Sequence, residues 1–114
     1  MGRTKVPKPI ERRHLVEREL TAAQALHYAQ AYLEQGLELD AVDFLAKAQS
    51  TDQLERLRAQ AIENGDGFLL RSVAAAMHAP AQPREWHALA EAAERAGKQR
   101  YAADARRLSE RSES

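Results

Sequence analysis

The 114-residue sequence predicts an all-α domain of antiparallel helical hairpins. Three observations carry that expectation. Apolar residues from Thr21 onward recur at helical spacing. No stretch of useful length alternates with a period of two, and β-branched residues are scarce. Gly36, Gly65 and Gly97 stand at near-even intervals, each where a helix would end.

The first ten residues, MGRTKVPKPI, read as an extended arm, because Pro7 and Pro9 disfavour a helix interior. Arg3, Lys5, Lys8, Arg12 and Arg13 against Glu11 give residues 1–13 a local excess of four positive charges. A short helix is expected between Glu11 and Leu20, with Leu15, Val16 and Leu20 as its apolar residues. Thr21-Ala22-Ala23-Gln24 has the spacing of a capping box. Behind it Ala25, Leu26, Tyr28, Ala29, Tyr32 and Leu33 form a helical stripe that Gly36 ends. The next helix is expected from Leu39 to Gln49, burying Ala41, Val42, Phe44, Leu45 and Ala48.

Ser50-Thr51-Asp52-Gln53 offers a second capping box, ahead of Leu54, Leu57, Ala61 and Ile62. Asn64-Gly65 closes that helix, and Asp66 is placed to cap one carrying Phe68, Leu69, Leu70, Val73 and Met77. The Ala79–Pro83 stretch is a break, with Pro83 suited to a first helical position. Trp86, Leu89, Ala90 and Ala93 follow as a stripe, ended by Gly97. Tyr101, Ala102, Ala105 and Leu108 mark a last helix. Three segments result: a basic arm with a short helix over 1–20, a helical-hairpin domain over 21–108, and a tail over 109–114 expected to fray.

Composition limits the function. The hydrophobic share is 44% and the charged share 30%, which is a globular balance. Lys+Arg and Asp+Glu are both 17, so the chain lacks the basic excess of a typical nucleic-acid binder. Cysteine is absent, which excludes disulfides and thiolate chemistry. No apolar run is long enough to span a bilayer, and the first residues lack a signal-peptide core, so a cytoplasmic location is expected. Thirteen Arg against four Lys, with abundant Ala, point to a bacterial source.

No residue set indicates catalysis, a cofactor or a metal. His14, His27, His78 and His87 form no pair with metal-ligand spacing. Asp40 with Asp43, and Glu91 with Glu94, share helix faces but lack a companion nucleophile or phosphate loop, and read as solvated charge. Gly65-Asp66-Gly67 reads as a turn. Trp86, Tyr28 and Tyr32 lie within apolar stripes and read as core. The expected function is that of a binding module and not an enzyme.

Residues 22–53, AAQALHYAQAYLEQGLELDAVDFLAKAQSTDQ, resemble one tetratricopeptide repeat, a helical hairpin of about 34 residues. Tyr28, Ala29, Tyr32, Gly36, Ala41, Leu45 and Ala48 carry the resemblance. Trp86, Leu89, Ala90, Ala93, Gly97 and Ala102 follow the same pattern, as do Leu54, Leu57 and Gly65. Arg58 and Leu70 depart from it, standing where small residues are expected. The resemblance implies a right-handed array of about three antiparallel hairpins, a tetratricopeptide-like α-α solenoid, capped by the Tyr101–Arg111 helix.

It also implies a protein–protein interaction module whose concave face is lined by the first helix of each pair. Those positions are Leu26, Gln30 and Leu33, then Glu55, Ala59 and Ile62, then His87, Glu91 and Glu94. The lysine, asparagine and arginine clamp by which one subset grips a C-terminal carboxylate is missing. The mixed apolar and acidic lining implies a basic or amphipathic protein or peptide, or a second copy of the chain in a homo-oligomer. The alternative is a nucleic-acid-associated regulator that uses one hairpin as a helix-turn-helix with the basic arm as anchor. It requires Arg56, Arg58, Arg71 and the arm to share a face.

Overall fold

A computed structural model describes residue 6, residues 8–17 and residues 19–113. Arg3 and Lys5 of the basic arm, with Pro7, lie outside the described residues. Seven helices and no strand occur among the described residues. They are α1 (Pro9–Glu17), α2 (Ala22–Glu34), α3 (Glu38–Lys47), α4 (Thr51–Glu63), α5 (Gly67–Ala76), α6 (Pro83–Arg95) and α7 (Gln99–Glu113). The chain divides into two units, Met1–Leu54 and Glu55–Ser114.

The local signals at Thr21, Asp66 and Pro83 act where the sequence places them. The Thr21 hydroxyl accepts from the Gln24 N–H at 3.1 Å, and the Gln24 side chain accepts from the Thr21 N–H at 3.0 Å. Asp66 caps α5 by accepting from the Leu69 N–H at 3.1 Å. Pro83 is the first residue of α6, where its missing N–H costs nothing. One expectation fails at the start, because α1 begins at Pro9, inside the segment read as extended. The rule that keeps proline out of a helix interior does not apply at its first position.

Five helix ends share one hydrogen-bonding scheme. Leu37 N–H donates to Tyr32 O while Gly36 N–H donates to Leu33 O. The same pair of bonds closes α3 at Ser50 and Gln49, α4 at Asp66 and Gly65, α5 at Ala79 and His78, and α6 at Lys98 and Gly97. This Schellman arrangement needs a left-handed residue. Glycine supplies it at positions 36, 65 and 97, with φ of 71°, 68° and 76°, while Gln49 and His78 both adopt φ of 54°. The helices keep step with these turns. α4 begins 29 residues after α2, and α5 begins 29 after α3. α6 and α7 begin 32 residues after α4 and α5, the longer Ala79–Gln82 link supplying the difference.

In the first unit α2 and α3 pack through small residues. Ala25, Ala29 and Ala41 are fully buried, so the helices approach closely. Tyr32 fills the space beside them and stacks on Phe44, with ring centroids 5.7 Å apart and planes 15° off parallel. α1 is held to this pair by Arg12. Its guanidinium lies 5.7 Å from the Tyr32 ring centroid and 5.6 Å from that of Phe44. It also donates to Asp40 O at 2.9 Å and to Asp43 Oδ2 at 3.1 Å. Asp40 and Asp43, read as solvated charge, thus receive a cation counted with the basic arm. Burial pushes the Tyr32 phenol above its ordinary value, against the opposing pull of Arg12.

The second unit has a larger apolar core, containing Leu57, Leu69, Leu70, Val73, Trp86, Leu89 and the alanines Ala61, Ala90, Ala93, Ala102 and Ala105. Gly65 is closely packed, and a Cβ there would come within 2.8 Å of Ala93 Cα. The two departures from the repeat pattern both have roles here. Leu70 is fully buried. Arg58 grips Glu85 through Nε at 2.7 Å and Nη2 at 2.8 Å, and donates from Nη1 to Ala79 O at 2.8 Å. Glu85 also accepts from the Gln82 N–H at 2.8 Å at the start of α6. One side chain from α4 therefore fixes both the link and the next helix. The bond to Arg58 holds the Glu85 carboxyl below the usual range, more strongly than burial raises it. The same bond raises Arg58.

The tail is a second correction. α7 continues past Leu108 to Glu113, and Ser109, expected to fray, is fully buried. Its hydroxyl lies 2.6 Å from His87 Nε2. Ser109 completes a helical stripe with Ala102 and Ala105, which carries the buried face beyond Leu108.

Candidate partner-binding groove

The feature that stands out is an apolar groove in the second unit, formed where α5, α6 and α7 meet. It arises from helix register. The run Phe68-Leu69-Leu70 occupies three successive positions, spanning about 200° of arc on a helix, and a core-facing stripe is narrower than that. Leu69 and Leu70 take the core, continued by Val73 and Ala74, and Phe68 is turned outward. α7 behaves likewise. Its buried stripe is Ala102, Ala105 and Ser109, which leaves Tyr101, Asp104 and Leu108 along the flank. Phe68 is 69% exposed and Tyr101 48% exposed. The sequence groups both with the apolar residues of their helices, and the structure turns both to the surface.

Trp86 and Leu89 lie beneath them in the wall of a cavity of about 480 Å³, with Arg71 and Arg107 at its polar edge. That volume falls within the ~300–1,000 Å³ common for ligand sites. Gly67 packs beside the Trp86 ring, since an added Cβ would stand 3.6 Å from Cζ3, in ordinary van der Waals contact. A second hollow of about 290 Å³ adjoins it, lined by Gly65, Asp66, Gly67, Phe68, Lys98 and Tyr101. Phe68 and Tyr101 line both hollows and so form a ridge between them. Trp86, read as core from sequence, is nearly buried and also lines the groove.

The concave-face residues fall into separate groups. In the first unit Leu26, Gln30 and Leu33 follow one another along α2, with Gln30 exposed and the two leucines half-buried. In the second, Glu55 and Ala59 are exposed on α4 and Ile62 is half-buried. His87, Glu91 and Glu94 are exposed along α6. His87 is drawn to Ser109, and Glu94 pairs with Arg106 at 2.8 Å. None of the three aliphatic residues is fully buried. All of these positions recur in the same phase of successive hairpins. None of them lines either hollow of the groove.

Two of the cations needed by the regulator reading are engaged inside their own units. Arg12 is held by Asp40 and Asp43, and Arg58 by Glu85, while Arg56 and Arg71 are exposed. Among the described residues no group of three or more His, Cys, Asp or Glu is placed to hold a metal ion. No described helix is long and apolar enough to cross a membrane. Comparison with protein-family models, curated proteins and solved structures gives no match.

Proposed function

We propose that this chain is a helical-hairpin repeat protein that binds another protein, and that the Phe68–Tyr101 groove of its second unit is the contact surface. The observation that carries the proposal is the exposure of two aromatic rings around a formed hollow with Trp86 and Leu89 in its wall. Exposed aromatics over a desolvated apolar floor match the composition of interface anchors. The recurring left-handed turns and the in-phase helix starts support the repeat reading. A spacing of 29 and 32 residues is shorter than the ~34 of tetratricopeptide repeats. The plan is therefore tetratricopeptide-like with a shortened hairpin.

The test is affinity capture from the native host using the wild type and a Phe68→Ser/Tyr101→Ser double variant, with nuclease present. Circular dichroism melts control for folding. A stoichiometric protein retained by the wild type and lost by the variant is the expected result. Equal recovery by both would sink the groove as the contact surface.

A further inference from the structure

Resting on that reading of the groove, we infer that its occupant is an acidic amphipathic segment of another protein, with large apolar side chains on either side of the Phe68–Tyr101 ridge and a carboxylate opposite Arg71. The shape argument comes from the two hollows. They share Gly67, Phe68 and Tyr101, so a segment crossing the ridge meets apolar surface on both sides. A continuous helical or extended segment with apolar residues three or four positions apart has that form.

The charge argument comes from the lining. Arg71, Lys98 and Arg107 stand against Asp66 and Asp104. Asp104 pairs with Arg107, Asp66 caps the Leu69 N–H, and Lys98 Nζ donates to Asn64 O at 3.1 Å. Arg71 remains in the larger hollow with no ion partner among the described residues. A guanidinium beside apolar surface takes a carboxylate in a two-pronged bond, and the excluded water strengthens it. A basic segment would set like charges together at that point. The groove thus favours the opposite charge to the one implied by the acidic faces of α4 and α6.

Trp86 is the only tryptophan of the chain, so its emission reports groove occupancy directly. Three tryptophan-free peptides of one design serve as probes, each alternating pairs of leucine and phenylalanine with aspartate, asparagine or lysine. The acidic peptide is expected to shift Trp86 emission saturably and to bind about tenfold tighter than the asparagine peptide, with the lysine peptide weakest. Arg71→Glu should reverse that order while leaving the melting curve in place, since Arg71 is an exposed residue. Equal binding of the acidic and asparagine peptides would overturn the charge inference and leave the groove reading standing. Failure of all three to shift Trp86 would overturn both. Competition by single-stranded oligothymidylate at comparable affinity, or self-association lost in Phe68→Ser, would also overturn the acidic occupant.

Discussion

The two units solve the same problem with opposite treatment of their aromatic residues. In the first, Tyr32 and Phe44 are buried and Arg12 lies over their faces. In the second, Phe68 and Tyr101 stand out around Trp86, and the buried arginine contact is made to a carboxylate. Leu39 and Phe68 occupy the same phase of successive hairpins and are exposed by 52% and 69%. Phe68 lines both hollows, with Gly67 and Tyr101 beside it and Trp86 in the wall of the larger. Exposure of an apolar residue is therefore set by the hairpin register. Whether it makes a site depends on which side chains the neighbouring helices bring.

The comparison can be broken first at the turns. Gly36 and Gly65 share the left-handed conformation, but a Cβ at position 36 meets nothing within 4 Å, whereas at position 65 it meets the Ala93 backbone. Gly36→Ala should cost about 1 kcal/mol and Gly65→Ala about 3 kcal/mol, the second adding overpacking to the backbone term. Urea unfolding of both variants checks it, and equal losses would remove the asymmetry.

The arginines come next. Arg58→Ala leaves a largely buried Glu85 carboxylate without its partner and should lose about 2–3 kcal/mol. Arg12→Ala removes a ring contact and pairs to half-exposed aspartates, and about 1 kcal/mol is expected. Added salt should shrink the Arg12 effect more than the Arg58 effect.

Acid probes the second unit through Glu85. Glu85 has a lowered folded value, so the unfolded chain binds its proton first as pH falls. Its contribution to stability is present above the free value of 4.5 and disappears as pH drops through the lower folded value. Denaturation of wild type and Glu85→Gln should therefore converge below that point and diverge above it. A constant difference across the range would show that Glu85 is not the group involved. The smallest expected effect on stability belongs to Phe68→Ser, within about 0.5 kcal/mol, because the ring is exposed. A larger loss in thermal melts would mean that Phe68 serves the fold and not a contact.

What the sequence made legible was local. Capping at Thr21 and Asp66, the start at Pro83 and the turns at Gly36, Gly65 and Gly97 each depend on residues within one helical turn. The close packing of Ala29 and Ala41 followed from side-chain size. The groove was not legible, because three consecutive apolar residues at 68–70 do not say which one is excluded from the core. Nor were the Arg58–Glu85 and His87–Ser109 contacts, which join residues 27 and 22 apart. Nothing in the spacing of either pair marks it. The irregularity that Arg58 makes in the repeat was the one available signal of its structural role.

The short turns also govern how fast the chain folds. Glu34 and Glu38 bound the connection between α2 and α3, and Glu63 and Gly67 bound that between α4 and α5. Closing such small loops costs little chain entropy, so contacts within a pair form between residues already near each other. Chains rich in local contacts of this kind refold in microseconds to milliseconds. Nascent hairpins can therefore close during synthesis, at roughly 5–20 residues per second, before the following pair has been made.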